Sequence, residues 1–240
     1  MKFLLLSLLG ITVVSGIVFE GSSSSSEEYY GGRGGRGHHH PPSRPRPPSR
    51  PRPPRPPRPA PRPPPPPPPQ PCPAQYLTFD RPQGRWCVIV VHANVNYYDA
   101  QNRCAAMGGT LSGVQTQAER MAIAAEGRRI QQAFGVGDGS IWLGARRKAS
   151  CSRVGMCSPA DTFAWVDGVT TGTAGITFSP GQPDGLLSGQ TAQDCMQQFI
   201  FPYSDTSPTW PGIPHGAYDD QFCTYTDGPR NRFFACGKRA

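Results

Sequence analysis

Several features are missing from this sequence, and each absence excludes a class of protein. After residue 16 no apolar run reaches the length of about 20 residues that a bilayer requires, so no membrane span is expected. No Cys-x-x-Cys pair occurs, and His92 and His215 are the only histidines outside the tract at 38–40, which argues against a zinc cluster. Neither histidine has a nucleophile motif nearby, so a Ser-His-Asp enzyme, and an enzyme in general, is not expected.

The first 16 residues have the pattern of a secretory signal peptide. Lys2 precedes an apolar stretch at 3–14, and Val14-Ser15-Gly16 supplies small residues at a cleavage site. The eight cysteines are an even number in this secretory context and indicate a disulfide framework, although the count alone leaves their pairing open. We therefore expect a secreted, extracellular protein.

The positive charge of the chain is concentrated outside its most domain-like part. Nine arginines and no acidic residue lie between Arg33 and Arg62, whereas residues 72–240 carry 14 basic and 13 acidic side chains. This asymmetry predicts a basic arm beside a nearly neutral domain. The domain is therefore not expected to bind nucleic acid specifically.

Two segments of biased composition separate the signal peptide from this domain. Residues 17–40 are rich in glycine, serine and histidine and contain too few apolar residues to offset the entropy of ordering, so disorder is predicted. The histidines at 38–40 fit a weak metal-binding tract or, as we prefer, a merely solvated one. Residues 41–71 are rich in proline and arginine and predict a polyproline II stalk, since proline fixes φ and removes a backbone donor. This stalk is either a spacer or an arm that binds acidic polysaccharides, and the two roles are compatible.

The remaining residues, 72–240, predict two helices and a set of short strands. One apolar face, formed by Tyr97, Ala100, Cys104 and Met107, predicts a helix over Asn96–Met107. Thr116-x-x-Glu119 is a capping box and predicts a second helix that reaches about Gln132. Strands are expected at Trp86–Val91, Ile141–Arg146, Phe163–Val166, Cys195–Phe199, Gln221–Cys223 and Phe233–Cys236. Between them, residues 167–194 have little regular pattern and predict a long loop of the kind that is often functional.

Two motifs in this region carry a resemblance to a known family. Trp142-Leu143-Gly144 matches the Trp-Ile-Gly core strand of C-type lectin domains, and four cysteines have the spacing of that family's framework: Cys104, Cys195, Cys223 and Cys236. Residues 72–240 thus resemble a C-type lectin domain, an α+β fold with two helices, small antiparallel sheets and a long irregular loop, stapled by disulfides. The resemblance implies the bridges Cys104–Cys236, Cys195–Cys223 and, as in the long form of the domain, Cys72–Cys87. Cys151 and Cys157 are left over and are close enough in sequence to pair.

The same resemblance implies a calcium and sugar site in the long loop. Calcium-dependent members have Glu-Pro-Asn or Gln-Pro-Asp around a cis proline, a glutamate before the third framework cysteine, and an Asn-Asp pair before the fourth. The matching residues here are Gln182, Asp184, Gln193, Asp219 and Asp220. They are the implied ligands of calcium and of a carbohydrate, since calcium takes six to eight oxygens from carboxylates and carbonyls. The long span before Cys195 leaves Gln190 as an alternative to Gln193.

The resemblance implies a secreted, calcium-dependent lectin whose partners are glycans. Gln193 and Asp219 depart from the family pattern, although Asp184, Asp219 and Asp220 together keep its usual negative charge. The alternative is a calcium-independent C-type lectin-like module that binds a protein or another non-sugar ligand, with the basic stalk contacting polyanions. The two interpretations differ in whether calcium raises the melting temperature.

Overall fold

The computed structural model of the protein describes Arg55, residues 70–226 and residues 231–240. The predicted signal peptide (1–16), the segment predicted to be disordered (17–40) and nearly all of the predicted stalk (41–71) lie outside these described residues. Within them, no helix is both long and apolar enough to cross a membrane.

The two helices lie where the sequence predicts them, and their ends have local causes. Helix α1 spans Tyr97–Ala106, and the Asn96 side chain caps it by accepting from the Asp99 backbone N–H. Helix α2 spans Gln117–Phe134 and ends at Gly135, which has the left-handed conformation (φ 64°) that glycine adopts without steric cost. Thr116 caps α2 as predicted, by accepting from the Glu119 N–H at 3.2 Å.

Ten strands accompany the helices in the described part of the chain. They are β1 (Leu77–Arg81), β2 (Gly84–His92), β3 (Thr110–Leu111), β4 (Gly139–Arg147), β5 (Phe163–Trp165), β6 (Leu187–Ser188), β7 (Thr191–Ala192), β8 (Cys195–Ile200), β9 (Tyr218–Gln221) and β10 (Asn231–Arg239). The main sheet has the order β1-β2-β10-β4-β8-β9, with β3 paired to β10 and β5 to β4. Strands β10 and β4 run parallel, and the other pairs are antiparallel. The hairpin β6–β7 forms a separate two-stranded sheet.

The core lies between α2 and the central strands. Ile123, Ile141, Leu143 and Phe233 are fully buried there and form one apolar cluster. Gly144 in β4 has no room for a side chain, because a Cβ atom would overlap the backbone carbonyl of Leu111. The Trp-Leu-Gly motif therefore lets β3 lie directly against β4.

The eight cysteines form the four predicted bridges. These are Cys72–Cys87, Cys104–Cys236, Cys151–Cys157 and Cys195–Cys223. Cys72–Cys87 ties the segment before β1 to β2, and Cys104–Cys236 ties α1 to β10. Cys151–Cys157 closes a small surface loop between β4 and β5. The predicted α+β fold, stapled by disulfides, is confirmed.

Two local predictions are wrong. The strand expected at Gln221–Cys223 lies at Tyr218–Gln221, because pairing with β8 sets its position. Met107 does not belong to the buried face of α1; it follows the last turn and is partly exposed. The long loop is largely irregular, as predicted, and also contains the hairpin β6–β7, whose four strand residues are too few to give a sequence pattern.

Candidate functional site

The candidate site lies where the long loop between β5 and β8 meets β9. The Gln182–Pro183 peptide bond in this loop is cis, as the resemblance implies. Beyond it, the Asp184 N–H donates to Oδ1 of Asp220 at 3.1 Å and the Gly185 N–H to Oδ2 at 2.8 Å. The fully buried Asp220 carboxylate thus holds the chain just after the cis proline.

The half-buried Gln182 and the exposed Asp184 lie on either side of the cis proline. The Asp184 N–H donates to Oε1 of Gln182 at 2.7 Å, and Gln182 Nε2 donates to Oδ2 of Asp184 at 3.3 Å. The Leu186 N–H donates to the other Asp184 oxygen at 3.1 Å. Both side chains therefore use their polar atoms within the loop itself.

The carboxylate of Asp220 is also paired with a positively charged side chain, that of Arg147. Arg147, at the end of β4, donates from Nη2 to Oδ2 of Asp220, and its Nε lies 3.3 Å from Oδ1 of Asp194. The same guanidinium donates to the Gln193 carbonyl at 3.1 and 3.2 Å and lies over the ring of Phe163. Burial raises the pKa of Asp220, while the Gly185 N–H and Arg147 oppose that rise.

The side chain of Asp219 points away from that of Asp220. Consecutive residues of a strand face opposite sides of the sheet, and Asp219 accepts a hydrogen bond from Gln197 on β8 at 2.9 Å. Its other oxygen is buried and has no hydrogen-bond partner among the described residues. Burial raises the pKa of Asp219 to about 7, so a proton is readily held on this carboxyl group.

Gln193 is also turned away from the loop tip. It is buried, and its Nε2 donates to Oε1 of Gln221 at 3.3 Å. The same Gln221 oxygen accepts from the Phe222 N–H at 2.8 Å. Gln190 lies exposed in the turn between β6 and β7. Of the five implied ligands, the structure brings together Gln182, Asp184 and Asp220, while Gln193 and Asp219 lie apart from them.

This donor set does not fit a calcium ion. Calcium needs six to eight oxygens that converge on one point. Here Asp220 already accepts from two backbone N–H groups and Arg147, and the side chains of Asp219 and Gln193 hydrogen-bond elsewhere. Among the described residues, no group of three or more His, Cys, Asp or Glu side chains is arranged to hold a metal ion.

Two cavities flank this loop. The first has a volume of about 360 Å³ and lies between the Cys151–Cys157 loop and the cis proline, beside Arg147. Its polar groups already have partners in the protein: the Thr162 hydroxyl donates to the Ser158 carbonyl, and Gln182 bonds to Asp184.

The second cavity, which we call the Tyr225 pocket, has a different chemistry. It has a volume of about 320 Å³ and is lined by Ser188, Thr191, Phe222, Thr224 and Tyr225. These lining residues carry two aromatic rings and four hydroxyl groups, and none of the described residues in the lining is charged. None of these hydroxyl groups hydrogen-bonds to another residue in the described part of the chain.

Sequence reasoning missed Arg147 and the Tyr225 pocket. The ion pair of Arg147 joins residues 73 positions apart, and no local pattern marks such a pair. The pocket depends on the hairpin β6–β7, which was expected to be irregular. The one available signal was the pair Arg146-Arg147, two charged residues that follow the apolar core of β4.

The fold is similar to several solved structures of low sequence identity. A calcium-independent type II antifreeze protein is 22% identical, with 70% of this chain and 95% of that chain covered and a TM-score of 0.43. The carbohydrate-recognition domain of cow CD23, solved in the presence of a GlcNAc2Man3 oligosaccharide, is 17% identical, with 70% and 96% covered and a TM-score of 0.44. The carbohydrate-recognition domain of the mouse scavenger receptor C-type lectin is 20% identical, with 70% and 98% covered and a TM-score of 0.44.

Sequence comparison gives a more direct assignment. No curated protein sequence matches this chain. A family model described as C-type lectin domain-containing protein 141/158 matches residues 78–237, which is more than half of the chain. The matched range includes both helices and eight complete strands, β2 to β9, together with most of β1 and β10. This chain therefore belongs to the C-type lectin domain family, as a member of the group described as C-type lectin domain-containing protein 141/158.

Proposed function

We propose that this protein is an extracellular lectin that binds neutral glycans in the Tyr225 pocket and does so without calcium. Membership of the C-type lectin domain family supports recognition, and not catalysis, as its role. The observation that carries the proposal is the lining of the pocket: two aromatic rings and four unpartnered hydroxyl groups in the described structure. Fold alone would not decide the ligand, because function depends on the site and not on the scaffold.

The lining matches the two-sided chemistry of a sugar ring. A pyranose has a face of C–H groups that packs on an aromatic ring, and a rim of hydroxyls that both donate and accept hydrogen bonds. Phe222 is half-buried and Tyr225 is 39% exposed, so both rings remain open to contact. Serine, threonine and tyrosine hydroxyls can donate to or accept from a sugar hydroxyl. A pocket with apolar walls and a few polar groups is the usual form of a small-ligand site.

The aromatic side of the pocket is held in place before any ligand binds. The Cys195–Cys223 bridge anchors it, and the Phe222 N–H is fixed by Gln221. The Tyr225 N–H donates to the Phe222 carbonyl at 3.0 Å, which closes a turn. Beneath the ring of Tyr225, the guanidinium of the fully buried Arg232 lies 5.6 Å from its centroid. Such preorganisation reduces the entropy lost on binding.

Among the described residues, no charged side chain lines the pocket, which favours a neutral sugar over an acidic one. The cation beside the long loop, Arg147, is paired with Asp220. An acidic sugar would therefore find no unpaired cation among the described residues of the lining. Acidic polysaccharides remain a proposed partner for the stalk, where nine arginines lie between Arg33 and Arg62.

A glycan array probed with the full secreted chain in the presence of EDTA tests the proposal. We expect neutral oligosaccharides to be retained at high salt, which suppresses contacts made by the arginine-rich stalk. Tyr225→Ala should weaken binding to the retained glycan about tenfold, since loss of an aromatic contact is worth about 1 kcal/mol or more. Tyr203→Ala is the matched control, because Tyr203 is 79% exposed and does not line the pocket.

Three results would contradict the proposal. They are failure to retain any neutral glycan, equal loss of binding in both tyrosine variants, and loss of all binding in EDTA. The last result would instead favour the calcium-dependent interpretation, with Gln182, Asp184, Gln193, Asp219 and Asp220 as ligands. That interpretation requires Arg147 to leave Asp220 and both Asp219 and Gln193 to turn toward the loop tip.

A further inference from the structure

The cation at the centre of the loop is an arginine, and its surroundings resemble those of a bound metal ion. Only 4% of the Arg147 side chain is exposed, and none of Asp220 is. Arg147 contacts two carboxylates, Asp220 and Asp194, and one backbone carbonyl, that of Gln193. An isolated charge in such a buried place would be strongly unfavourable, so this pairing is what allows Asp220 to be ionised inside the domain.

Arg147 also joins segments that are distant in sequence. Its backbone ends β4, its Nε and Nη2 hold the chain at 193–194, and Nη2 reaches Asp220 on β9. Asp220 in turn accepts the N–H groups of Asp184 and Gly185. One guanidinium–carboxylate pair thus fixes four chain segments around the long loop. Arginine suits this role, because its planar group carries five donors in a fixed arrangement.

From these contacts we infer that Arg147 replaces a calcium ion as the counter-charge of the long loop and orders that loop permanently. The inference concerns the order of the loop and does not depend on what the Tyr225 pocket binds. It has a direct consequence: the acidic residues become available to a cation once the guanidinium is removed. Arg147→Gln should therefore create a response to calcium that the natural protein lacks.

Thermal unfolding of the full chain with EDTA or with millimolar calcium tests this inference. The wild type should melt at the same temperature in both conditions, within about 1 °C. In EDTA, Arg147→Gln should melt about 10 °C lower, because it leaves a buried carboxylate unpaired. Calcium should recover several degrees of that loss in the variant, by binding the folded form only. Adding Asp220→Asn to Arg147→Gln should remove the calcium response and restore part of the melting temperature.

Arg146→Gln is the matched control. Arg146 precedes Arg147 on β4, but its guanidinium lies 5.8 Å from the ring centroids of Tyr97 and Tyr98. This variant should show no calcium response. A calcium-induced rise of several degrees in the wild type would overturn the inference, even if Arg147→Gln did not fold. A folded Arg147→Gln protein that ignores calcium, or an equal response in Arg146→Gln, would overturn it as well.

Discussion

His215 makes the stability of the domain depend on pH in a way that the structure predicts quantitatively. The imidazole is buried, and its Nδ1 accepts from the Phe201 N–H at 3.0 Å. This bond requires the neutral ring, because a proton on Nδ1 would face the Phe201 N–H. Burial, followed by the positive charge of Arg128, lowers the pKa of His215 from 6.5 to about 4.

The sign and size of the effect follow from this pKa. Above pH 6.5 the ring is neutral in both the folded and the unfolded chain, so the stabilisation is complete. Below pH 6.5 the unfolded chain binds a proton that the folded chain resists, so stability falls until the pH reaches about 4. One pKa unit corresponds to about 1.4 kcal/mol, so the full loss is about 3 kcal/mol. Between pH 7 and pH 5 about 2 kcal/mol should already be lost.

Urea unfolding of the wild type and of His215→Asn at several pH values measures the contribution of His215 to the pH dependence of the unfolding free energy. Asparagine can still accept from the Phe201 N–H but does not titrate, so the variant should lack this part of the pH dependence. Comparing the two proteins is necessary because burial raises the pKa of Asp219, which contributes with the opposite sign in both. Identical pH dependence of the unfolding free energy in the two proteins would refute the reasoning, even if the wild type were more stable than the variant by a constant amount.

Two further predictions concern the framework of the domain. Removing the Cys104–Cys236 bridge should cost about 5 kcal/mol and removing Cys151–Cys157 about 2 kcal/mol, because their sequence separations are 132 and 6 residues. Urea unfolding of the two paired Cys→Ala variants checks this order, and equal losses would contradict it. Glu119→Gln should cost about 3 kcal/mol, since it leaves the side chain of Arg81, 1% exposed, without its carboxylate at 2.7 Å. The double variant Arg81→Met/Glu119→Leu should recover much of that loss, and no recovery would show that the charges themselves are required.

The sequence was sufficient for the elements whose causes are local. Helix α1 has its cap at Asn96, and α2 has its cap at Thr116 and its stop at Gly135, all visible as residue types at fixed positions. Strand β9 was misplaced because two aspartates are poor strand formers, whereas Gln-Phe-Cys looks like a strand. Its pairing with β8 overrides that preference, as β propensity often gives way to context.

The geometry of the site was less predictable than the fold, because it too depends on contacts between residues that are distant in sequence. The motif at Gln182–Asp184 and the pair Asp219-Asp220 could be aligned by spacing, and the cis bond lies where the resemblance implies it. Which way each side chain turns is decided by partners elsewhere in the chain. Gln193 bonds to Gln221 and Asp219 to Gln197, and Arg147 reaches Asp220 across the sheet. Residue identities alone do not reveal such long-range pairs.

The position of β10 has a consequence for how the protein is made. This strand is the last of the ten in chain order, yet it lies between β2 and β4 in the middle of the main sheet. A ribosome therefore releases both sheet neighbours, Gly84–His92 and Gly139–Arg147, long before the strand that joins them exists. Until synthesis reaches Asn231–Arg239, two unpaired edges stay open to wrong partners. The main sheet cannot be completed before that strand has been synthesised, and nascent chains that stall earlier would expose both edges.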